Sequence, residues 1–308
     1  MKILLFGGRG FMGQQFLTVF PDAAIPSADI ADPAAVARAL DEVKPDIVIN
    51  AAGKTGVPNV DWCEEHKIET LHSNVLGPLV LQEACRKRGI YWVHLSSGCI
   101  YEGTKGMKGK GTKGEQEEGW TEEDEPNFTG SFYSRSKAWS EKTLRESTES
   151  DVNGRGGILI LRLRMPFDGS SQPRNLIVKL KKFARVLDQP NSITSLQDFL
   201  SAAGILIDRH ATGIYNMVNE GAISPYHIME LYREIVDLDH HFERLLLGSL
   251  SQVVRAGRSN CILSTGKLKR EGITMRPVEE AVRAALLEFK KSSVVKQKDD
   301  SVNTICVQ

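Results

Sequence analysis

The sequence lacks the features that mark disulfide frameworks, zinc sites, nucleic-acid-binding tails and membrane anchors. Its five cysteines include no Cys-x-x-Cys pair, and an odd number fits neither a disulfide framework nor a zinc site. Lysine plus arginine and aspartate plus glutamate number 39 each, which gives no electrostatic case for a nucleic-acid or membrane partner. No apolar run is long enough to cross a bilayer. We therefore expect a soluble, cytoplasmic protein with no metal site and with neither nucleic acid nor a membrane as a partner.

The chain does contain a glycine-rich loop directly after its first apolar run. Residues 3–6 suit a buried parallel strand, and Gly7, Gly10 and Gly13 follow at the spacing GxxGxxG before a helix-like segment. The first glycine permits a tight turn, the second lets the backbone approach a pyrophosphate, and the third lets helix and strand pack closely. A plain structural turn is the alternative, but the position after a first strand favours a dinucleotide site.

The segment after the first helix indicates which dinucleotide is bound. A NAD-selective site places an acid at the end of the second strand to bind the ribose hydroxyls, but residues 23–27 contain none. We therefore predict NADPH as the cofactor. Arg9 in the glycine loop is placed to meet the 2′-phosphate, with a solvated surface arginine as an equal alternative. Asp29 and Ile30 are expected near the adenine.

Further apolar runs predict an α/β fold with a Rossmann-type, doubly wound parallel sheet and a smaller mixed C-terminal part. Strands are predicted at 45–50, 91–95, 157–164 and 213–218, and helices at about 66–88, 175–186 and 197–208, from Ser224 and after Pro277. The strand at 45–50 leads into Ala51, Ala52 and Gly53, small residues that allow a cofactor to approach closely.

The chain is long enough for one large domain or two unequal ones. We predict an NADP-binding Rossmann domain over 1–165 and a mainly substrate-binding region over 166–290, with some segments returning to the first domain. Residues 103–125, rich in Lys, Gly and Glu, are predicted to form a mobile insertion. Residues 291–308 are predicted to be a disordered polar tail.

Tyr133 and Lys137 stand four residues apart in a segment that Gly130 and Ser131 are expected to open as a helix. Their side chains would then share one helix face, where an ammonium can stabilise a phenolate and lower the tyrosine pKa toward neutrality. A phenol tuned in this way can donate a proton to a carbonyl oxygen as hydride reaches the carbon. The Tyr-x-x-x-Lys spacing alone is common, so its interpretation as catalytic depends on the glycine loop and the strand ends.

We expect one set of residues to contact the cofactor. These are Gly7, Arg9, Gly10, Phe11, Met12, Gly13, Asp29, Ile30, Ala51, Ala52, Gly53, Tyr133 and Lys137.

These motifs occur in the order typical of the extended short-chain dehydrogenase/reductases. Within that class the chain resembles the dTDP-4-dehydrorhamnose reductase branch, and most closely the bifunctional 3,5-epimerase/4-reductases that make UDP- or dTDP-L-rhamnose from the 4-keto-6-deoxy sugar. The resemblance covers nearly the whole chain and is carried by residues 59–64, 98–100, 126–137, 164–166 and 173–175. Two departures are the insertion after Tyr101 and Ser96-Ser97 where relatives often have Ala-Thr.

The resemblance implies a catalytic role for five residues and NADPH as the cofactor. Ser97, Tyr133 and Lys137 would form the reductase triad, and Cys99 and Lys179 would form the epimerisation pair. From position alone, Cys99 is equally well a small buried hydrophobe, and Lys179 lies among other lysines that suit a solvated face.

The resemblance also implies a nucleotide-sugar substrate, and a homodimer is compatible with the sequence. Arg258 is a candidate for the substrate diphosphate because a guanidinium matches phosphate oxygens in bidentate fashion, with a surface arginine as the alternative. The residues expected to contact the substrate are Asn59, Ser97, Gly98, Asn127, Asn175 and Arg258. Two other functions stay open: a reductase without epimerase activity, and a non-catalytic NADP-binding regulatory subunit of methionine adenosyltransferase.

Overall fold

A five-stranded parallel sheet forms the centre of the computed structural model, which describes residues 1–57, 59–105, 119–145, 156–252 and 254–303. The strands are β1 (Ile3–Phe6), β2 (Ile47–Asn50), β3 (Tyr91–Ser97), β4 (Ile158–Leu163), β5 (Pro166–Phe167), β6 (Arg185–Leu187), β7 (Thr194–Ser195), β8 (Gly213–Asn216) and β9 (Glu243–Leu245). The central sheet has the order β1-β2-β3-β4-β8, and all its neighbours are parallel. The predicted Rossmann-type sheet is confirmed.

Helices cover both faces of this sheet. They are α1 (Phe11–Val19), α2 (Pro33–Val43), α3 (Trp62–Glu65), α4 (Lys67–Leu71), α5 (Gly77–Arg88), α6 (Phe132–Arg145), α7 (Leu176–Leu180), α8 (Leu196–Asp208), α9 (Pro225–Ile235), α10 (Gly266–Arg270) and α11 (Val278–Asn303). Helices α1 and α8 pack on one face, and α2, α5 and α6 pack on the other.

Successive side chains of a strand point to opposite faces of the sheet, and both faces are apolar here. The strands are therefore continuous apolar runs in the sequence. In β1, Leu5 points into the cluster that contains Phe16 of α1 and Phe199 of α8. Its neighbour Leu4 points into the opposite cluster, with Leu40 of α2. Because both faces are covered by helices, both sets of side chains are buried and apolar.

The second strand expected of this fold is reduced to a single bridge. Ala24 pairs with β1, accepting a hydrogen bond from the Leu5 amide at 2.8 Å and donating one to the Ile3 carbonyl at 2.9 Å. Helix α2 then begins at Pro33, where the Asp32 side chain accepts hydrogen bonds from the amides of Ala34 and Ala35. Residues 22–44 are too few for a full strand, helix and strand, and the second strand is therefore shortened to this bridge.

The C-terminal part of the chain builds a second apolar cluster beside the sheet. Helices α7, α9 and α11 pack together there with the short strands β5 and β6. Two later elements return to the central sheet, since β8 is its edge strand and α8 covers one face. The division of the chain near residue 165 stays a prediction.

Three expectations about local structure can be set beside the described residues. The helix predicted at about 175–186 ends at Leu180, and the chain continues into strand β6. Helix α11 spans Val278–Asn303 and so extends into the segment predicted to be a disordered tail, whose last residues, 304–308, lie outside the described residues. The ends of the predicted mobile insertion are held by bridges from Gly103 and Trp120, while 106–118 lie outside the described residues.

A buried ion pair fastens α6 to the sheet. Arg162 on β4 and Glu141 on α6 are 0% and 1% exposed, and two guanidinium nitrogens lie 2.9 and 2.5 Å from the two carboxylate oxygens. The Ser96 hydroxyl on β3 donates to the same carboxylate at 2.9 Å. The pair therefore joins one helix to two strands at the carboxyl edge of the sheet.

Glu141→Gln should destabilise the protein strongly, because Arg162 would keep its charge without a counter-ion. We expect a loss of about 3–5 kcal/mol in the free energy of unfolding, measured by urea denaturation. Glu83→Gln is the matched control, since the Glu83–Lys87 pair on α5 is exposed and should contribute nothing measurable. Equal effects of the two substitutions would contradict this account.

Candidate active site

The carboxyl ends of β1, β2 and β3 and the first turns of α6 enclose a cavity of about 320 Å³. In an open parallel sheet this edge is where ligands bind. The cavity is lined by all five residues expected to be catalytic, Ser97, Cys99, Tyr133, Lys137 and Lys179. It is also lined by six residues expected to contact the cofactor, Gly10, Phe11, Met12, Ala51, Ala52 and Gly53.

The glycine loop leaves no room for side chains. Gly7 has φ +76°, and a Cβ built on it would lie 2.4 Å from the Ala52 amide nitrogen. A Cβ on Gly13 would lie 2.2 Å from the Gly7 carbonyl oxygen. The β1–α1 loop and the loop after β2 therefore meet backbone to backbone, as a dinucleotide cradle requires.

An open cleft of about 710 Å³ continues from this loop along the edge of the sheet. Arg9, Asp29 and Ile30 line it together with the glycine loop and the small residues after β2. Asp29 accepts a hydrogen bond from the Ala31 amide at 2.9 Å, while the Arg9 side chain is exposed. The cleft thus joins the glycine loop to Arg9 and to the small residues after β2, which is the arrangement of a dinucleotide site.

Tyr133 and Lys137 are buried on the inner face of α6, which begins after Ser131, whose hydroxyl accepts a hydrogen bond from the Ser134 amide. The Lys137 ammonium donates to the Leu95 carbonyl at 3.0 Å. Burial lowers the pKa of Lys137 to about 8, and the nearby Glu141 carboxylate opposes that change. Lys137 is thus held against β3 rather than free in solvent.

The expectation of a lowered tyrosine pKa is wrong for this structure. Burial raises the pKa of Tyr133 because the phenolate is disfavoured, the Cys99 thiol raises it further, and the Ser97 hydroxyl opposes the increase. A neutral phenol keeps the proton that it would donate. Ser97 stands at the end of β3, where its hydroxyl accepts a hydrogen bond from the Cys99 amide at 3.1 Å.

Lys179 lines the cavity from a different element, helix α7. Desolvation of its amine and the charge of Arg174 lower the pKa of Lys179, although the residue as a whole is exposed. Asn175 begins this helix by accepting a hydrogen bond from the Ile177 amide at 3.1 Å. Cys99 is half-buried on the β3 side, so the two side chains approach the cavity from different elements.

A groove of about 750 Å³ extends outward from Lys179 and is lined by Asn59 and Arg258. Arg258 forms a bidentate pair with Asp61, with nitrogen–oxygen distances of 2.9 and 3.1 Å. The guanidinium holds the pKa of the Asp61 carboxyl below its usual value. Arg258 is therefore already paired, and an incoming phosphate would share it with Asp61.

The structure does not bring the other three expected substrate contacts into these cavities. Asn175 is fully buried, and its side chain bonds only to its own loop and helix. Asn127 is bonded to both backbone groups of Glu102. Gly98 packs directly against Leu263, because a Cβ on Gly98 would lie 2.5 Å from the Leu263 side chain. None of the three lines the cavity, the cleft or the groove, and their contact with a substrate stays a prediction.

Two arginines at the site were given no role by the sequence analysis. Arg174 donates to the Thr55 hydroxyl at 2.8 Å and lines the cleft, the cavity and the groove. Arg164 is 1% exposed and lies 3.5 Å from the Cys99 sulfur. Both belong to the short motifs that carry the family resemblance, which is the signal that pointed to them.

Met165 follows Arg164 and lines the same cavity with φ +42°. A positive φ is strained for a residue with a side chain, and the following Pro166 restricts this residue further. Strained backbone of this kind is concentrated at functional sites.

Two negative findings apply to the described residues. Over 1–57, 59–105, 119–145, 156–252 and 254–303, no group of three His, Cys, Asp or Glu side chains could hold a metal ion. Within the same part of the chain, no helix has both the length and the apolar character needed to cross a bilayer.

Comparison with known proteins gives matches over most of the chain. The family described as RmlD substrate binding domain matches residues 1–291. A bifunctional dTDP-4-dehydrorhamnose 3,5-epimerase/dTDP-4-dehydrorhamnose reductase from Arabidopsis thaliana is 38% identical, over 96% of this chain and 95% of the relative. A trifunctional UDP-glucose 4,6-dehydratase/UDP-4-keto-6-deoxy-D-glucose 3,5-epimerase/UDP-4-keto-L-rhamnose-reductase from the same plant is 34% identical over 92% of this chain. The chain spans 41% of that longer protein.

Among solved structures, a UDP-rhamnose synthase from Acanthamoeba polyphaga mimivirus is similar, with a TM-score of 0.84 and 29% identity. The match covers 94% of this chain and 99% of that one.

Lys137→Met should make the protein more stable at neutral pH. Because the pKa of Lys137 is about 8 in the folded chain and about 10.4 in an unfolded one, unfolding takes up protons between these values. Wild-type stability should therefore rise with pH across this window. We expect the variant to gain about 1–2 kcal/mol at pH 7 after the lost hydrogen bond is subtracted.

Urea denaturation at pH 7 and pH 10 measures the effect, and the advantage of Lys137→Met should shrink at pH 10. Lys142→Met on the same helix is the control, since Lys142 is exposed. A Lys137→Met variant that is less stable than the wild type at pH 7 would show that the buried ammonium is not costly.

Proposed function

Because the chain belongs to the family of the RmlD substrate binding domain, we propose that it is an NADPH-dependent nucleotide-sugar reductase that also epimerises its substrate. The reaction would convert a UDP- or dTDP-4-keto-6-deoxyglucose to the nucleotide-L-rhamnose. One observation supports this proposal above the others: Ser97, Cys99, Tyr133, Lys137 and Lys179 line a single cavity next to the glycine loop.

The 4-keto group makes epimerisation at two centres accessible to one pair of residues. It acidifies the hydrogens on both neighbouring carbons, C3 and C5, because the enolate oxygen takes up the charge. Cys99 would remove the proton as a thiolate, and Lys179 would return one from the opposite side of the ring. The lowered pKa of Lys179 suits an ammonium that must release its proton.

Reduction at C4 uses the other three residues. The Tyr133 phenol would donate a proton to the carbonyl oxygen, while a bound NADPH would supply the hydride for C4. The Ser97 hydroxyl would donate a hydrogen bond to the same oxygen in both reactions. Lys137 would stabilise the phenolate that Tyr133 leaves, from its position one turn along α6.

The choice of NADPH rests on the cleft. The bridge at Ala24 replaces the second strand, and residues 23–27 provide no acid to bind a ribose 2′-hydroxyl. Arg9 lies exposed in the same cleft, where a 2′-phosphate would meet it. Asp29 and Ile30 would flank the adenine.

Two other functions account less well for the cavity. A reductase without epimerase activity has no need for both Cys99 and Lys179 in the wall of the cavity. A non-catalytic NADP-binding regulatory subunit has no need for Ser97, Tyr133 and Lys137 together.

Asn59 and Arg258 would hold the nucleotide end of the substrate in the outer groove.

Tyr133→Phe should lower the rate of reduction about 10²–10⁴-fold, because the proton donor to C4 is lost. The affinity for NADPH should stay nearly unchanged, since the hydroxyl acts on the sugar. Consumption of NADPH with the keto sugar and a fluorescence titration with NADPH alone measure the two effects. Tyr215→Phe is the matched control, as Tyr215 is on β8 and its hydroxyl is 3.5 Å from Glu271. Wild-type rates for Tyr133→Phe would refute its assigned role.

Cys99→Ala should abolish deuterium incorporation at C3 and C5 from heavy water, because the base is gone. Lys179→Ala should still permit exchange through Cys99 but block inversion. NMR of the keto sugar in heavy water without NADPH distinguishes exchange from inversion. Cys85→Ala and Lys181→Ala are the matched controls, since Cys85 is buried in α5 and Lys181 packs on Phe289. If Cys99→Ala exchanges like the wild type, Cys99 is a packing residue.

A further inference from the structure

Arg164 is buried next to the cavity, and no carboxylate of the described residues pairs with it. Its side chain is 1% exposed, and its recorded hydrogen-bond acceptors in the described part of the chain are uncharged or a thiol. They are the Asn191 amide oxygen at 2.5 Å, the Ser259 carbonyl at 2.6 Å, the Ser259 hydroxyl at 2.8 Å, the Gly98 carbonyl at 3.4 Å and the Cys99 sulfur at 3.5 Å.

This arrangement differs from that of Arg162, two residues earlier. Arg162 is equally buried, but the Glu141 carboxylate neutralises it. A guanidinium keeps its charge under all ordinary conditions, and a buried charge is costly unless it is paired. The Arg164 charge is therefore compensated only by dipoles until a neighbour ionises.

Two thiols lie near Arg164, and their surroundings distinguish them. Cys261 is 1% exposed and donates to the Gly98 carbonyl at 3.4 Å. Burial raises the pKa of the Cys261 thiol, and Arg164 only opposes that change. Cys99 is half-buried and lines the cavity, so its sulfur faces both the guanidinium and the space for a substrate.

We propose that Arg164 is a positioning residue for epimerisation, whose guanidinium holds the Cys99 sulfur at the cavity wall and stabilises its thiolate. The last step rests on the proposed function: the thiolate forms an S–H bond with the substrate proton as the C–H bond breaks, and the electron pair moves to the C4 oxygen. The pairing of Arg164 with Cys99 does not depend on that step.

Other charged or titratable groups face the same cavity. Tyr133 and Lys137 face it from α6, and Lys179 and Arg174 face it from the α7 side. The Lys137 ammonium is bonded to the Leu95 carbonyl, and Arg174 is bonded to Thr55. Of the cations described, Arg164 is the one with a recorded hydrogen bond to the Cys99 sulfur.

The rate at which iodoacetamide alkylates Cys99, followed by mass spectrometry from pH 5 to pH 9, tests the pairing without a sugar. Arg164→Met should slow alkylation of Cys99 at pH 7 several-fold, because the cation next to the reacting sulfur is lost. Arg164→Lys should restore part of the rate, which a purely structural role for Arg164 would not predict.

Arg276→Met is the control, since Arg276 is a partly buried arginine paired with Asp198 elsewhere in the fold. An alkylation profile for Arg164→Met that matches the wild type would overturn the proposal. If alkylation slows while Cys99→Ala still exchanges deuterium, the pairing holds and the epimerase function fails.

A second comparison keeps the test available if Arg164→Met does not fold. Cys99→Asp places a carboxylate beside Arg164, whereas Cys99→Asn places a neutral group of the same size there. Cys99→Asp should have a melting temperature a few degrees higher than that of Cys99→Asn at pH 7, because its carboxylate pairs with the buried guanidinium. The paired carboxyl has a lowered pKa, so the advantage should disappear as the pH falls below about 4. Equal melting temperatures at pH 7 would also overturn the proposal.

Discussion

The buried pair between Glu141 and Arg162 is the interaction on which the geometry of the site depends. Glu141 follows Lys137 by four residues and Tyr133 by eight, so all three lie on one face of α6. Because Glu141 is fixed to β4 and accepts a hydrogen bond from Ser96 on β3, this helix face cannot rotate away from the strand ends. The same carboxylate also supports the charge of Lys137.

The local motifs of the site could be predicted from the sequence because their chemistry depends on neighbours along the chain. The glycine spacing requires only a strand before it and a helix after it, and the structure shows both around Gly7 and Gly13. Tyr133 and Lys137 share a helix face for the same reason. Even Asn175 carried a local signal, since asparagine is a preferred helix N-cap residue, and that signal indicated support of α7 rather than substrate contact.

Properties that depend on distant parts of the chain could not be predicted. Arg258 meets Asp61 across 197 positions of sequence, and no spacing rule connects them. The raised pKa of Tyr133 follows mainly from its burial in the folded protein, and the spacing to Lys137 gives no measure of that burial. The end of α7 at Leu180 also follows from tertiary structure, because β6 pairs with β9, more than fifty residues later.

The account's central claim is that one cavity performs both epimerisation and reduction. The most direct test incubates the purified wild-type protein with NADPH and UDP- or dTDP-4-keto-6-deoxyglucose, and identifies the product sugar by NMR after hydrolysis. The account predicts L-rhamnose from at least one of the two nucleotides, with no separate epimerase added. A 6-deoxyhexose that keeps the D-configuration at C5, or no consumption of NADPH with either substrate, would contradict it.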